Sequence, residues 1–271
     1  MRIQHNITAL NSHRNLMNNN SAVSKNLEKL SSGYRINRAG DDAAGLAISE
    51  KMRAQITGLE TAQKNAEDGV SLVQTAEGAL TEVHSMLNRM VELATQSANG
   101  TYSDENRDEM QKEVNALKNE IDRISKTANF NGTNLFENGS TVALHVGEGS
   151  AASNTVSVTI ASMTSTSLGI NALDITTAAN AKGAIDTIND AIDEVSGLRS
   201  DLGAIQNRLE HTINNLGVQT ENITAAESRI RDVDMAKEMM AYTKNNILVQ
   251  SSQAMLAQAN QVPQGVLQLL Q

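Results

Sequence analysis

The 271-residue chain has no cysteine, no tryptophan and a single proline, Pro263. Without cysteine it can form no disulfide, thiolate nucleophile or cysteine-based zinc site. Average usage would supply about 5% proline, so almost nothing in the sequence interrupts a helix. Aromatics are 2% of the residues, two Phe and three Tyr. Large rings thicken globular cores, so their scarcity favours slender helix-on-helix packing. Positive charge is also short. The 22 Lys and Arg against 31 Asp and Glu leave a net charge of −9, which opposes non-specific contact with nucleic acid. No apolar run reaches the roughly 18 residues of a membrane span. The segment from Met1 to Thr8 lacks the apolar core of a cleavable secretory leader. If the protein is exported, another route is expected to carry it.

Helical period is what the sequence does contain. From Ala181, alternating steps of four and three pass through Ile185, Ile188, Ile192, Val195, Leu202, Leu209, Ile213, Leu216, Ile223 and Ile230. Eleven of the fifteen positions are apolar, the exceptions being Arg199, Gln206, Thr220 and Glu227. This is a heptad seam over Ala178–Ile230. A helix of about 50 residues is roughly 75 Å long and cannot bury its stripe alone, so it needs helical partners. Residues 60–99 supply one, with a seam of Leu72, Ala76, Ala79, Val83, Met86, Met90 and Leu93. Val70, Val73, Leu80, Leu87, Val91 and Ala94 widen its apolar face and imply contact with more than one helix. After Asn99-Gly100, Thr101 to Asp104 reads as a cap. A third helix runs to about Ala128 on Met110, Val114, Leu117, Ile121 and Ile124, antiparallel to the second.

The remaining segments flank this bundle. Residues 1–32 read as an amphipathic helix on Ile3, Ile7, Leu10, Leu16, Met17, Val23, Leu27 and Leu30, weakest at Asn18–Asn20. Its partner is either a helix of the same molecule or one in another subunit. Residues 31–45 break the chain at Gly33 and Gly40, and Asp41 or Asp42 caps a helix from Ala43 to about Gln55. Between 129 and 177 the helical period disappears. There Thr141–Val146 and Thr155–Ile160 alternate as a β-hairpin. Asn131-Gly132-Thr133 and Asn138-Gly139-Ser140 match the glycosylation sequon, a weak pattern. Residues 231–271 form a last amphipathic helix, expected to end at Pro263 and Gly265, then an apolar tail through Leu267 and Leu270 that suggests a partner.

No chemistry-bearing constellation emerges. The five histidines have no metal-ligand spacing, and no nucleophile elbow or dinucleotide-binding glycine pattern occurs. Carboxylates such as Glu120 and Asp122 lie beside Lys118, Arg123 and Lys126, where solvated ion pairs are expected. The reading is therefore of a non-enzyme without cofactor or metal.

Leu30 to Asn37, followed by Ala39 to Ile48, closely resembles the N-terminal signature of bacterial flagellin. Ile7 to Leu10, Glu92 to Ala94, Asn129 to Gly132, Ala226 to Asp234, Gln253 to Asn260 and Val266 to Leu270 are similar to the same family. The resemblance implies a mainly α fold: a long antiparallel helical bundle or coiled-coil rod, a small β-hairpin element and two terminal amphipathic helices. Residues 1–40 and 235–271 would form an inner filament-core domain and 41–234 a rod domain, with the β element near 130–177. It implies a short flagellin, exported unfolded by the flagellar apparatus and self-assembled into a hollow extracellular filament for motility. Core packing would fall to Ile3, Ile7, Leu10, Leu248, Met255, Leu267 and Leu270. Implied partners are further copies of the chain, an export chaperone at the C-terminal helix, and cap and hook-junction proteins. A vertebrate innate receptor for flagellin is also implied, at Arg89, Leu93 and Glu113. No nucleic-acid or membrane partner is expected. A hook–filament junction protein shares the terminal helices and is the nearest alternative. A hydrolase on the same frame would need a catalytic insert that residues 130–177 are too short to hold.

Overall fold

A computed structural model of the chain describes the backbone of residues 6–269 and the side chains of residues 6–261. Five helices carry most of it: α1 Ile7–Ser32, α2 Ala43–Ala98, α3 Asp104–Thr127, α4 Ala178–Arg231 and α5 Met235–Leu269. Four strands lie between α3 and α4: β1 Asn129–Phe130, β2 Thr133–Asn134, β3 Ser140–His145 and β4 Thr155–Ile160. The chain divides into two compact units, Thr57–Thr220 and Met1–Ile56 with Glu221–Gln271. These boundaries fall inside α2 and α4, whereas the sequence reading drew its lines near the ends of helices.

In the Thr57–Thr220 unit, α2, α3 and α4 share one apolar core. Val73, Leu80, Leu87 and Ala94 are buried beside Leu72, Ala76, Val83, Met90 and Leu93, so α2 does present a face wider than a single seam. The α2–α3 turn is closed by Arg107, whose Nε donates to the Ser97 carbonyl at 3.0 Å and whose Nη2 donates to that of Asn99 at 3.1 Å. Ser103 caps α3 by accepting from the Asn106 N–H. On α4 the buried positions are Ala181, Ile188, Val195, Leu202, Leu209 and Leu216, joined by Ala184, Ala191 and Leu198. The other half of the expected seam, Ile185, Ile192 and Ile213, is only half-buried. A helix facing two partners buries two adjacent stripes, and the second stripe here begins one residue earlier than a two-helix seam would set it.

β3 and β4 pair antiparallel from Ser140↔Ile160 to His145↔Thr155, the expected hairpin. β1 and β2 form a second, smaller hairpin that the sequence reading missed. Its signal was present in Asn131-Gly132, a two-residue loop of the kind that favours positive φ, and Asn131 has φ 49°. Residues 161–177 form no regular element, yet Met163, Leu168, Ile170, Leu173 and Ile175 are buried against the bundle. Polar side chains of α3 hold this strap by its backbone. Asp122 accepts from the Ser165 N–H at 2.7 Å and its hydroxyl at 2.8 Å. Gln111 accepts from the Ile175 N–H at 2.7 Å and donates to the Leu173 carbonyl at 3.1 Å. Lys118 donates to the Asn171 carbonyl at 2.9 Å. Asp122 is thus a structural acceptor and not the solvated ion pair expected of it.

Two helix boundaries also differ from the sequence reading. α2 is continuous through Gly58, where a break was expected. A Cβ there would stand 3.3 Å from Glu148 Cβ, so the glycine admits the turn after β3 and costs α2 only about 1 kcal/mol of propensity. α5 runs on past Pro263 to Leu269. Proline removes the N–H that would bond the carbonyl four residues back, which is that of Ala259. Asn6 Nδ2 donates to this carbonyl at 2.8 Å.

Candidate functional site

The unit formed by the terminal segments contains the residues expected to pack between subunits. α1 begins at Asn6, whose Oδ1 accepts from the Ala9 N–H at 3.1 Å. It ends at Gly33, held in the left-handed region at φ 74°, whose N–H reaches the Lys29 carbonyl. That turn sends the chain alongside the link between α4 and α5. Tyr34 and Asp232 form an antiparallel bridge, the Arg35 N–H donates to the Arg231 carbonyl at 2.6 Å, and the Val233 N–H donates to that of Gly33 at 3.0 Å. Arg231 lies 4.8 Å over the Tyr34 ring and pairs with Glu50 at 2.6 Å. Asp42 caps α2 through the Gly45 N–H. Asp41 accepts from the Arg38 and Asn37 N–H groups, which hold its carboxyl below the usual range.

α1 and α5 pack on one another. Of the two partners left open for the first helix, the structure supplies the one in the same molecule. The pairing is polar where it is most specific. Asn19 Nδ2 donates to Ser252 Oγ at 3.0 Å. With its amide oriented to suit its neighbours, the buried Asn26 donates to Glu238 and accepts from Asn245, both at 3.0 Å. Asn19 and Asn26 are seven apart, as are Ser252 and Asn245, so both contacts share one antiparallel heptad register. Asn19 lies in the run that looked weakest in the sequence. Among the described side chains of α1 and α5 only Asn26 and Ala259 are buried.

The pairing leaves a large apolar surface. Ile7 is 57% exposed, Leu10 65%, Leu248 40% and Met255 62%. Met17, Leu27, Met235, Met239, Met240 and Ile247 are exposed as well. Ile3 and Leu270 lie outside the described residues. Leu267 lies in α5 but beyond the described side chains.

The second expected site is in the other unit. Arg89 donates to Glu113 on α3 at 2.9 Å and to Glu92 at 2.8 Å. Glu113 first, and then Glu92, hold its guanidinium still more firmly protonated. Leu93 is 2% exposed and belongs to the core. Its side chain offers no surface of its own. The position shares a helix face with Arg89 by spacing, but the Leu side chain is taken by the bundle.

Among the described residues no group of three or more acidic or histidine side chains is placed to hold a metal, and no helix is long and apolar enough to cross a membrane.

Residues 3–141 match the family described as Bacterial flagellin N-terminal helical region, and residues 185–270 match Bacterial flagellin C-terminal helical region. The chain belongs to the bacterial flagellin family. It is 56% identical over 271 residues to a flagellin of Halalkalibacterium halodurans, with the whole of each chain covered. It is 50% identical over 285 residues to the flagellar filament 33 kDa core protein of Treponema phagedenis, again with full coverage of both. A putative flagellar hook-associated protein of Vibrio parahaemolyticus shares the fold at a TM-score of 0.60 and 16% identity, over 71% of this chain and 100% of that one. Flagellins are structural proteins of the extracellular flagellar filament, and this member is accordingly a filament protein and not an enzyme.

Proposed function

We propose that this flagellin polymerises through α1 and α5, with further copies of the chain covering Ile7, Leu10, Leu248 and Met255. Ile3, Leu267 and Leu270 complete the proposed set. The observation that carries the reading is the apolar surface still exposed after the two helices have paired. A soluble protein rarely leaves so many large apolar side chains bare unless they meet a partner. Residues 1–40 and 235–271 form the inner filament-core domain and residues 41–234 the rod domain. A helical pair whose described side chains are almost all short of full burial is also readily unfolded, which suits passage through a narrow secretion channel. A chaperone that covers the exposed face of α5 before export, and cap and junction proteins that receive it afterwards, complete the set of partners.

Electron microscopy tests this. Purified protein is expected to form long filaments unaided, whereas Leu10→Asp and Met255→Asp remain helical and soluble without forming them. Filaments from both variants would overturn the reading, and a limited cap or ring from the unaltered protein would favour a junction role.

A vertebrate innate receptor is proposed to contact the Arg89–Glu113 surface, with Leu93 supporting it from beneath. Arginine at the centre of a contact surface is a frequent hot spot. A reporter-cell assay of Arg89→Ala and Glu113→Ala is expected to show reduced potency, and undiminished responses to both would exclude this surface.

A further inference from the structure

The exposed face of the terminal helices is unusually rich in one side chain. Of the eleven methionines, Met17 on α1 and Met235, Met239, Met240 and Met255 on α5 are exposed. Met90 and Met163, by contrast, are sealed in the central core. Leucine would serve equally well for burial alone. Methionine differs in having an oxidisable thioether.

We propose that these five methionines are a modification site, through which hydroperoxides decide whether a free subunit can enter the filament. The inference rests on the assembly reading above. The sulfur lone pair of an exposed methionine attacks one oxygen of hydrogen peroxide. An S–O bond forms as the O–O bond breaks, and hydroxide leaves and takes up the proton of the attacked oxygen as water. The sulfur loses two electrons and the peroxide gains them. The product sulfoxide is polar and chiral. Burying it between subunits without a hydrogen-bond donor is costly, so an oxidised subunit is excluded. Once assembled, the same sulfurs are covered by neighbouring copies and escape oxidation. The chemistry is reversible, because methionine sulfoxide reductases restore the thioether. The site therefore responds to oxidant only between synthesis and incorporation.

The experiment uses the full chain and hydrogen peroxide. Peptide mapping by mass spectrometry is expected to find oxidation at Met17, Met235, Met239, Met240 and Met255 of the free subunit well ahead of Met90 and Met163. Sedimentable polymer should fall at least tenfold, and should return after treatment with the two epimer-specific reductases. Filaments assembled before exposure should retain thioethers at the five positions. A chain with Met17, Met235, Met239 and Met240 changed to Leu, a volume-conserving exchange, should lose far less polymer to peroxide than the unaltered chain. Subunits oxidised at the five positions that polymerise like untreated ones would overturn the proposal. So would an assembly loss that the reductases do not repair. An untreated chain that forms no filaments would instead sink the assembly reading and this inference with it, a pattern distinct from either of those.

Discussion

Asn6 makes bonds of two unlike kinds with one amide. Its oxygen caps α1, and its nitrogen satisfies the Ala259 carbonyl that Pro263 leaves without a helical donor. Asn6→Asp keeps the cap and loses the second bond, at a cost of about 1 kcal/mol. In a Pro263→Ala background the helix supplies its own donor to Ala259, and the same substitution should then cost much less. Denaturation of the four chains checks this, and an equal cost in both backgrounds would refute the pairing. Neither role was legible in the sequence, because proline reads as a helix end and the distant partner of Asn6 has no local signature. Asp122 was misread for a similar reason. Its neighbours in sequence are basic, but its bonding partner Ser165 lies 43 positions away. Asp122→Ala removes two bonds to a buried serine and should destabilise the chain by about 1–3 kcal/mol. Hydrogen exchange should accelerate first in the strap around Ser165.

At the scale of elements, periodicity carried the reading further. Helix type, the antiparallel bundle and the larger hairpin follow from spacings of four and three and from strict alternation, both set by backbone geometry. What the period could not assign was which half of a seam faces two partners. Leu209 is fully buried and Ile213 only half so. Leu209→Asp should therefore cost several kcal/mol through a charge in a dry seam, and Ile213→Asp distinctly less. Equal losses in thermal unfolding would restore the simple two-helix seam. The start of α4 adds a pH dependence. Asp174 accepts from the Thr176 N–H and hydroxyl and from Asn180, bonds that lower its pKa. Because the folded value lies below the unfolded one, its contribution is present above about pH 4 and is lost as pH falls through the folded value. Asp174→Asn should flatten that part of the acid limb, as followed by circular dichroism against pH.

At the scale of the molecule, the two units differ in how well they are sealed. Thr57–Thr220 has a large apolar core, while among the described side chains the paired terminal helices bury only an asparagine and an alanine. Helices without tertiary burial are marginal in water. Brief trypsin treatment should thus cut the free subunit at Arg14, Lys25, Lys237 or Lys244 before any site in the central unit. Assembled protein should be spared at those four sites. Early cleavage within the central unit would show that the ranking is reversed. The sequence separated these regimes only partly. It displayed the terminal stripes, but Asn19, which helps to register α1 on α5, lay in the run that read as a weak point of the helix.

The bond from Asn6 to Ala259 spans 253 positions of the chain. A contact of that separation cannot form until nearly all of the polypeptide is present, whereas the central bundle closes through shorter loops. On the assembly proposed above, the half of the protein that meets other subunits is thus expected to be the last part to take shape. A chain broken off before α5 has no partner for α1 and, on the proposed assembly, is expected to stay out of the polymer. Order of emergence thereby serves as a check on completeness, with no separate inspector.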